Sequence, residues 1–345
     1  MKLLHWPRYS MIGAAKNGFL SRNLVTASLA ASQLKLHGEE FVLKLLNRRW
    51  ALDIPDSKVH QIMFSRKQTQ PSDGMFGNII FSIEKCPTLG DVAMGERCKD
   101  NSFYIVRDDL LHPLVNGNKP RKLDALLPII EDCSGTDVTN LKDGMKKVVI
   151  INEGAGDAVA LLGVIRLVHY LSQSHVLGKE RPYNFVIDAG TGTTAIGFAL
   201  GAQMLGLPWK VTSVMLADTV DWYKAQEQKL ISDFKKYYAS DIMDSLLEDE
   251  LVEWVYRTSP RKFGKVLDGE LKACQQVANQ TGVLVDPIYT LAAWELAVHL
   301  SQRELKEGRR VVMLHTGGTL GMFGLAQRFK SYFSTLKDHQ PSNFL

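Results

Sequence analysis

The stretch of this 345-residue chain that decides the fold is Asp188-Ala189-Gly190-Thr191-Gly192-Thr193-Thr194. It lies between an apolar segment typical of a buried strand, 185–188, and an apolar segment typical of a helix, 195–205. Glycines let a backbone approach an anion closely, and the free N–H groups at a helix start point at it. We interpret the stretch as an anion cup whose threonine hydroxyls suit a terminal phosphate, although a plain strand-to-helix turn has a similar composition.

The same stretch has a second interpretation as a dinucleotide site. Gly190, Gly192 and Ala195 satisfy the loose G-x-G-x-x-A pattern. Asp218 follows the next predicted strand, where a ribose-binding acid can lie, but its spacing from the glycines is longer than usual. The threonines also fit a phosphate end group better than a bridging pyrophosphate. A nucleotide-dependent oxidoreductase is therefore the last of the functional alternatives.

Outward from this stretch, apolar strands alternate with helices. This alternation predicts an α/β fold with an open, mostly parallel twisted sheet and helices on both faces. The predicted strands are 103–106, 148–152, 185–188, 211–216 and 310–315, and the predicted helices are 119–133, 157–172, 195–205, 221–248, 270–280 and 291–303. Pro128 is expected to bend or shorten its helix. The uncharged stretch 189–209 is long enough to cross a bilayer, but it begins with a Gly/Thr loop, so a buried helix is the better interpretation.

Three further motifs place polar side chains where α/β proteins bind ligands. In GNKPRKL, 117–123, Lys119 begins a helix and can present its amine to a cleft, as imine chemistry requires. In HTGG, 315–318, Thr316 follows a predicted strand at the carboxyl end of the sheet. In DPIYT, 286–290, Tyr289 precedes a helix. Taken singly, these motifs are also consistent with a surface lysine, a glycine turn and a core tyrosine.

Charge and cysteine usage exclude several classes of partner. The net charge is +4, but residues 1–38 hold five basic residues and no acidic one, which leaves −1 for the remainder. A body with this balance has no electrostatic footprint for nucleic acid or for an anionic membrane. The four cysteines form no C-x-x-C pair, so we expect no metal and no disulfide scaffold.

The four motifs, in this order, resemble those of the D-cysteine desulfhydrase and 1-aminocyclopropane-1-carboxylate (ACC) deaminase family, which are tryptophan-synthase-β-like enzymes of pyridoxal-phosphate fold type II. The likeness runs from about residue 76 to residue 329. It implies pyridoxal 5'-phosphate as cofactor, a small amino acid as substrate, and a homodimer, which nothing else in the sequence requires. It implies that Lys119 forms the Schiff base, that Asn118 lies beside the cofactor, that Tyr289 faces the reacting carbons and that Thr316 bonds the ring nitrogen. The implied phosphate ligands are Gly190, Thr191, Gly192, Thr193 and Thr194.

The residue after the tyrosine separates the two branches of this family. The deaminase branch has a carboxylate there, which keeps the ring nitrogen protonated, whereas this chain has Thr290, and the resemblance implies Thr316 as the partner instead. A hydroxyl partner favours an unprotonated ring, which suffices when a good β-leaving group departs. The resemblance therefore favours a D-cysteine desulfhydrase, a carbon–sulfur lyase that forms pyruvate, ammonia and hydrogen sulfide. The alternatives are an ACC deaminase-like activity and a cofactor-binding but inactive chain.

One part of the family pattern is missing. A Gly-Gly-x-Gln-Ser-x-His-Thr-like turn, which binds the substrate carboxylate and begins the small domain, has no counterpart between Cys133 and Val148. We predict a deletion near 134–147 of about a hundred residues, the order of size of a small domain. The predicted organisation is an organelle transit peptide over 1–38, for the mitochondrion or alternatively the chloroplast, a helix and linker over 39–75, and the catalytic domain over 76–345.

Overall fold

The centre of the structure is a sheet of five parallel strands, extended at one edge by an antiparallel pair. The computed structural model describes residues 37–66, 75–90, 101–134, 152–238 and 250–335. The strands are β1 (Val59–Arg66), β2 (Ile79–Glu84), β3 (Ser102–Val106), β4 (Tyr183–Ala189), β5 (Trp209–Met215), β6 (Val252–Tyr256) and β7 (Arg310–Leu314). Their order in the sheet is β2-β1-β3-β7-β4-β5-β6. β1 runs antiparallel to both of its neighbours, and the other pairs are parallel.

Helices cover both faces of this sheet. They are α1 (37–46), α2 (Lys119–Ser134), α3 (Ala158–Leu171), α4 (Thr193–Met204), α5 (Val220–Tyr238), α6 (Glu270–Thr281), α7 (Thr290–Lys306), α8 (Gly321–Arg328) and α9 (Lys330–Thr335). Tyr104 and Val106 belong to the core shared with α2 to α5, whereas Phe103 and Ile105 belong to the core shared with α6 and α7. Strands buried on both faces are mostly apolar, as expected of a covered parallel sheet. The predicted α/β class with a mostly parallel sheet is confirmed.

Helix α2 continues through Pro128 and is not shortened by it. Proline lacks the N–H that would bond the carbonyl of Asp124, but the Ala51 N–H donates to that carbonyl at 3.1 Å. The Pro128 carbonyl itself accepts a hydrogen bond from Arg49 at 3.0 Å. A segment distant in sequence thus supplies the bond that the proline removes, and the helix reaches Ser134.

Other elements depart from the sequence prediction at the margins of the sheet. Strand β1 lies in the 39–75 segment, which the sequence assigned to a helix and linker, and only 37–46 of the described residues there are helical. Strands β2 and β6 were also missed. The 189–209 stretch holds a buried helix, α4, and no helix among the described residues is long and apolar enough to span a membrane. Residues 1–36 of the predicted transit peptide, 135–147 of the predicted deletion and 148–151 of a predicted strand lie outside the described residues.

Candidate active site

The strand order explains why motifs far apart in sequence meet. Strands β3, β7 and β4 are parallel neighbours, so their carboxyl ends lie at one edge of the sheet. The chain after β3 leads to Lys119, the chain after β7 leads to Thr316, and the chain after β4 forms the Gly/Thr loop. In open α/β sheets, ligands bind at this carboxyl edge.

These motifs line a single cleft of about 460 Å³. That volume lies within the range of small-molecule and cofactor sites. All of the residues proposed from sequence line it, namely Asn118, Lys119, Gly190, Thr191, Gly192, Thr193, Thr194, Tyr289 and Thr316. Asp218, the candidate ribose ligand of the dinucleotide alternative, is exposed at its margin.

The Gly/Thr loop forms a cup at the start of α4. Gly192 has φ 77° at the N-cap, where an alanine Cβ would also lie 3.0 Å from the Trp254 ring. The Tyr223 hydroxyl lies 2.7 and 2.8 Å from the carbonyl oxygens of Ala189 and Gly190, and its ring stacks on Trp254 at 4.8 Å. These two carbonyls are therefore directed at protein, while the threonine hydroxyls of the loop line the cleft.

The other motifs pack backbone to backbone around the cup. The Asn118 N–H donates to the carbonyl of Thr316 at 2.9 Å, and the Asn118 side-chain amide donates to the Thr194 hydroxyl oxygen at 2.9 Å. A Cβ at Gly117 would lie 2.0 Å from the Thr316 carbonyl oxygen, and one at Gly318 would lie 1.9 Å from the Asp286 carboxylate. The close approach of these loops accounts for the glycines in the GNK and HTGG motifs.

Asp286 sets the position of Tyr289. Its carboxylate accepts hydrogen bonds from the backbone N–H groups of Ile288 and Tyr289 at 2.9 Å each, and from the Thr290 hydroxyl at 2.9 Å. The Tyr289 ring is half-buried, with an edge 3.4 Å from where a Cβ on Gly190 would lie. Burial, reinforced by the charge of Asp286, raises the pKa of Tyr289. Its hydroxyl therefore keeps its proton and can donate it.

Two lysines of α2 enter the cleft in different states. Lys119 is exposed at the first residue of the helix, whereas Lys122 is buried and donates to the carbonyl of Gly154 at 2.9 Å. Burial, with the charge of Lys119 adding to it, lowers the pKa of Lys122 to about 8. Lys122 is not among the site residues predicted from the sequence. Its spacing of three from Lys119, which places both on one helix face, was the available signal.

A buried carboxylate, Asp188, was also missed. It is the penultimate residue of β4, lines the cleft, and accepts a hydrogen bond from the Thr316 hydroxyl at 2.6 Å. The available signal was a charged residue ending an otherwise apolar strand, since such groups cluster at functional sites.

Two buried ion pairs, Arg121–Asp108 and Arg107–Asp109, lie close together in sequence after β3 and at the start of α2. Together with Ser57, which bonds Arg121, they are here called the anchor. Arg121 donates to the Asp108 carboxylate at 2.6 and 2.8 Å and to the Ser57 hydroxyl at 2.7 Å. Arg107 donates to both oxygens of Asp109 at 2.8 and 2.7 Å. The anchor ties the chain after β3 to the first turn of α2.

The donors of the cleft fit a phosphorylated aldehyde cofactor. The N-terminus of α4 and the hydroxyls of Thr191 and Thr193, 3.0 Å apart, suit a phosphate group. The accessible amine of Lys119 suits an aldehyde. The fold and the donors of the cleft agree with the α/β enzyme of the tryptophan-synthase-β-like class that the sequence resemblance implies.

Similarity to known proteins identifies the family within this class. No protein-family model matches the chain. A rice (Oryza sativa) protein named as a mitochondrial D-cysteine desulfhydrase is 39% identical over 398 aligned positions, which cover 86% of this chain and 97% of that protein. A mitochondrial bifunctional D-cysteine desulfhydrase/ACC deaminase of Arabidopsis thaliana is 24% identical over 55% of this chain and 46% of its own length. A crystal structure of an ACC deaminase homologue, 20% identical, superposes with a TM-score of 0.53 over 67% of this chain and 89% of its own, which shows the fold alone.

The chain belongs to the family of D-cysteine desulfhydrases and ACC deaminases, which are pyridoxal-phosphate-dependent enzymes. It spans nearly all of the rice protein but about half the length of the Arabidopsis protein. Since 86% of 345 residues is about 297, about 100 of the 398 positions aligned with the rice protein have no counterpart here. Family membership replaces the dinucleotide interpretation of the Gly/Thr loop.

Proposed function

We propose that the chain is a pyridoxal-phosphate-dependent lyase that converts D-cysteine to pyruvate, ammonia and hydrogen sulfide by β-elimination. The observation that carries the proposal is a cleft that unites the accessible Lys119 amine, the threonine cup, Thr316 and Tyr289. When bound, the cofactor supplies an aldehyde that captures the substrate amino group and a ring that delocalises the electrons of the α-carbon.

The residues of the cleft divide the remaining tasks. The cup would bind the phosphate, and Thr316 would bond the ring nitrogen. Lys119 would hold the cofactor aldehyde, and its Nζ, when neutral, would accept the α-proton of the substrate. Asn118, fixed by Thr194, braces the loop that carries Lys119. Tyr289 keeps its phenolic proton and donates it to charge that develops at the reacting carbons.

The environment of Thr290 distinguishes this chain from the deaminase branch, and the name of the rice relative supports the desulfhydrase over the ACC deaminase-like alternative. The deaminase branch has a carboxylate at this position, whereas the Thr290 side chain is fully buried and its hydroxyl donates to Asp286 at 2.9 Å. This side chain therefore offers the cofactor neither a charge nor a free donor.

A second alternative is a chain that binds the cofactor without turnover. The missing clamp motif between Cys133 and Val148, and the aligned positions of the rice protein that have no counterpart here, support a truncated small domain within the 76–345 catalytic domain. Without the clamp, the substrate carboxylate loses a positioning contact, and positioning is a large share of catalysis. We also propose a mitochondrial location, which the names of the rice and Arabidopsis relatives support over a chloroplast.

Cofactor attachment at Lys119 gives the first test. The full chain is purified with pyridoxal phosphate, reduced with borohydride and digested, and the labelled peptide is identified by mass spectrometry. We expect the label on Lys119, and its complete loss in Lys119→Ala, because the other lysine of the cleft, Lys122, is buried and bonded to the carbonyl of Gly154. Lys262→Ala, which removes an exposed lysine outside the cleft, is the matched control and keeps the label. A label on Lys122 instead would overturn the assignment of Lys119.

Turnover separates the three alternatives. Sulfide released from D-cysteine by the unreduced, cofactor-loaded wild type, and not by Lys119→Ala, supports the desulfhydrase. A keto acid formed from ACC, with no sulfide from D-cysteine, supports the deaminase-like activity. A cofactor-loaded chain that transforms neither substrate is the non-catalytic alternative.

A further inference from the structure

Asp188 places a carboxylate one hydrogen bond behind the Thr316 hydroxyl. Asp188 is the penultimate residue of β4, and Thr316 lies two residues after the end of the adjacent strand β7. Both residues line the cleft. The Thr316 hydroxyl donates to the Asp188 carboxylate at 2.6 Å. Residues Asp188 and Thr316 are each only 7% exposed, so water competes little for this bond.

The groups that face Asp188 leave its charge only partly compensated. They are Lys122 from α2, Asp286 and Tyr289 from the segment before α7, and Thr316. Burial raises the pKa of Asp188 to about 7; the charge of Asp286 adds to this rise, while the Thr316 hydrogen bond and Lys122 oppose it. Both protonation states of the carboxyl group are therefore accessible near neutral pH.

The protonation state of Asp188 decides what Thr316 offers to a ligand. An ionised Asp188 accepts the hydroxyl proton of Thr316, which leaves the Thr316 oxygen only lone pairs to direct into the cleft. A protonated Asp188 donates its own proton to that oxygen and frees the hydroxyl proton for a ligand. A hydroxyl has one donor and two acceptor sites, so the inversion needs no movement of the backbone.

We propose that Asp188 is a positioning residue that acts through Thr316 to keep the ring nitrogen of the cofactor protonated, an inference that rests on the proposed function. An acceptor at Thr316 suits a protonated nitrogen, and a carboxylate one hydroxyl away stabilises its positive charge. The chain thereby replaces the carboxylate that it lacks at Thr290 with one from the opposite side of the site, on β4.

This role changes the comparison of the two branches of the family. A hydroxyl partner by itself leaves the ring nitrogen unprotonated, which is why the resemblance favours a desulfhydrase. With Asp188 behind the hydroxyl, the ring is a strong electron sink, so the electronic argument against a deaminase-like substrate weakens. Substrate choice then depends on contacts to the substrate rather than on Thr290.

The test is a pH titration of cofactor labelled with ¹⁵N at the ring and bound to the full chain, followed by nitrogen NMR. We expect the midpoint for loss of the ring proton to fall by at least about one pH unit in Asp188→Asn, a change of about 1.4 kcal/mol in the interaction. Thr316→Val, which removes the linking hydroxyl and keeps Asp188, is expected to lower the midpoint as well. Asp218→Asn, which removes an exposed carboxylate from the same cleft, is the control and shifts it far less because water screens that charge.

The outcomes distinguish this inference from the proposed function. If the wild type binds no cofactor, the proposed function fails and the inference fails with it. If the wild type carries the label on Lys119 and both variants titrate like the wild type, only the role of Asp188 is overturned. Should Asp188→Asn not fold, the midpoint of Thr316→Val alone decides, since that variant leaves the carboxylate in place.

Discussion

The anchor and the cleft show two uses of a buried carboxylate within one molecule. In the anchor, burial alone would raise the pKa of Asp109, but the bidentate bond from Arg107 holds it below its ordinary value. In the cleft, burial raises the pKa of Asp188, whose hydrogen-bond partner Thr316 is a neutral hydroxyl. In this fold, therefore, the carboxylate of the ion-paired anchor stays charged, whereas the carboxylate that lines the cleft has a pKa near neutral pH, as is common at ligand sites.

Breaking the anchor has the largest expected effect on stability. Arg121→Ala leaves the fully buried Asp108 carboxylate without its guanidinium, and removing one partner of a buried pair costs about 3–5 kcal/mol. Arg49→Ala is the matched control, because Arg49 pairs with exposed Glu131 and Asp132 and such pairs contribute below about 1 kcal/mol. Urea unfolding at pH 7 measures both. Equal losses in the two variants would contradict the role given to the anchor.

The two carboxylates are expected to give opposite pH dependences. The folded-state pKa of Asp188 is about 7, above the ordinary value of 3.8, so the folded chain binds more protons than the unfolded chain between about pH 4 and pH 7. The contribution of Asp188 to stability therefore falls as the pH rises through this window. Relative to wild type, Asp188→Asn gains on the order of 2–4 kcal/mol across it, since one pKa unit is about 1.4 kcal/mol.

For Asp109→Asn, the expected change of stability with pH has the opposite sign to that for Asp188→Asn. The folded-state pKa of Asp109 is lowered, so its contribution is present above the unfolded pKa and is lost as the pH falls through the folded value. Relative to wild type, Asp109→Asn is therefore least damaging in acid and loses stability as the pH rises. Urea midpoints of the cofactor-free proteins at a series of pH values give both slopes. Slopes of the same sign would remove the distinction between the anchor and the cleft.

A smaller effect is expected where two loops of the cleft touch. Gly318→Ala forces a Cβ to within 1.9 Å of the Asp286 carboxylate at φ 92°, whereas Gly282→Ala has φ 71° with open space around the Cβ. Both substitutions strain the backbone, but only the first displaces a carboxylate that accepts hydrogen bonds from Ile288, Tyr289 and Thr290, and one such hydrogen bond contributes about 1 kcal/mol. Thermal unfolding should therefore show a larger loss for Gly318→Ala by at least about that amount, and an equal loss would mean that the loops separate freely.

The sequence predicts the covered part of the fold better than its margins. Strands β4, β5 and β7 are buried on both faces and are mostly apolar, so their composition reveals them. Strands β1 and β6 mix buried and exposed residues, and β1 is a strand because it pairs with β2 and β3. Pro128 does not shorten α2 for a similar reason, since the Asp124 carbonyl that the proline leaves unbonded accepts a hydrogen bond from Ala51. Long-range pairing, which local pattern does not contain, decides these elements.

The residues of the candidate site also divide into those that local sequence predicts and those that depend on long-range strand pairing. Glycines and threonines in fixed order are local signals, and the structure brings every residue chosen on that basis to one cleft. The part played by Asp188 depends on a partner, Thr316, that lies 128 residues further along the chain. No spacing rule connects the two, and only the adjacency of β4 and β7 places them in contact.

The strand order also has a consequence for synthesis on the ribosome. Strand β7, the last to emerge, lies between β3 and β4 in the described sheet, so until it inserts the earlier strands form two separate half-sheets, β2-β1-β3 and β4-β5-β6. Pairing across such sequence separation is slow, and exposed strand edges invite aggregation. The nascent chain therefore has two vulnerable edges until Arg310–Leu314 leaves the exit tunnel, and the cleft, which needs the residues after β3, β4 and β7, is completed only then.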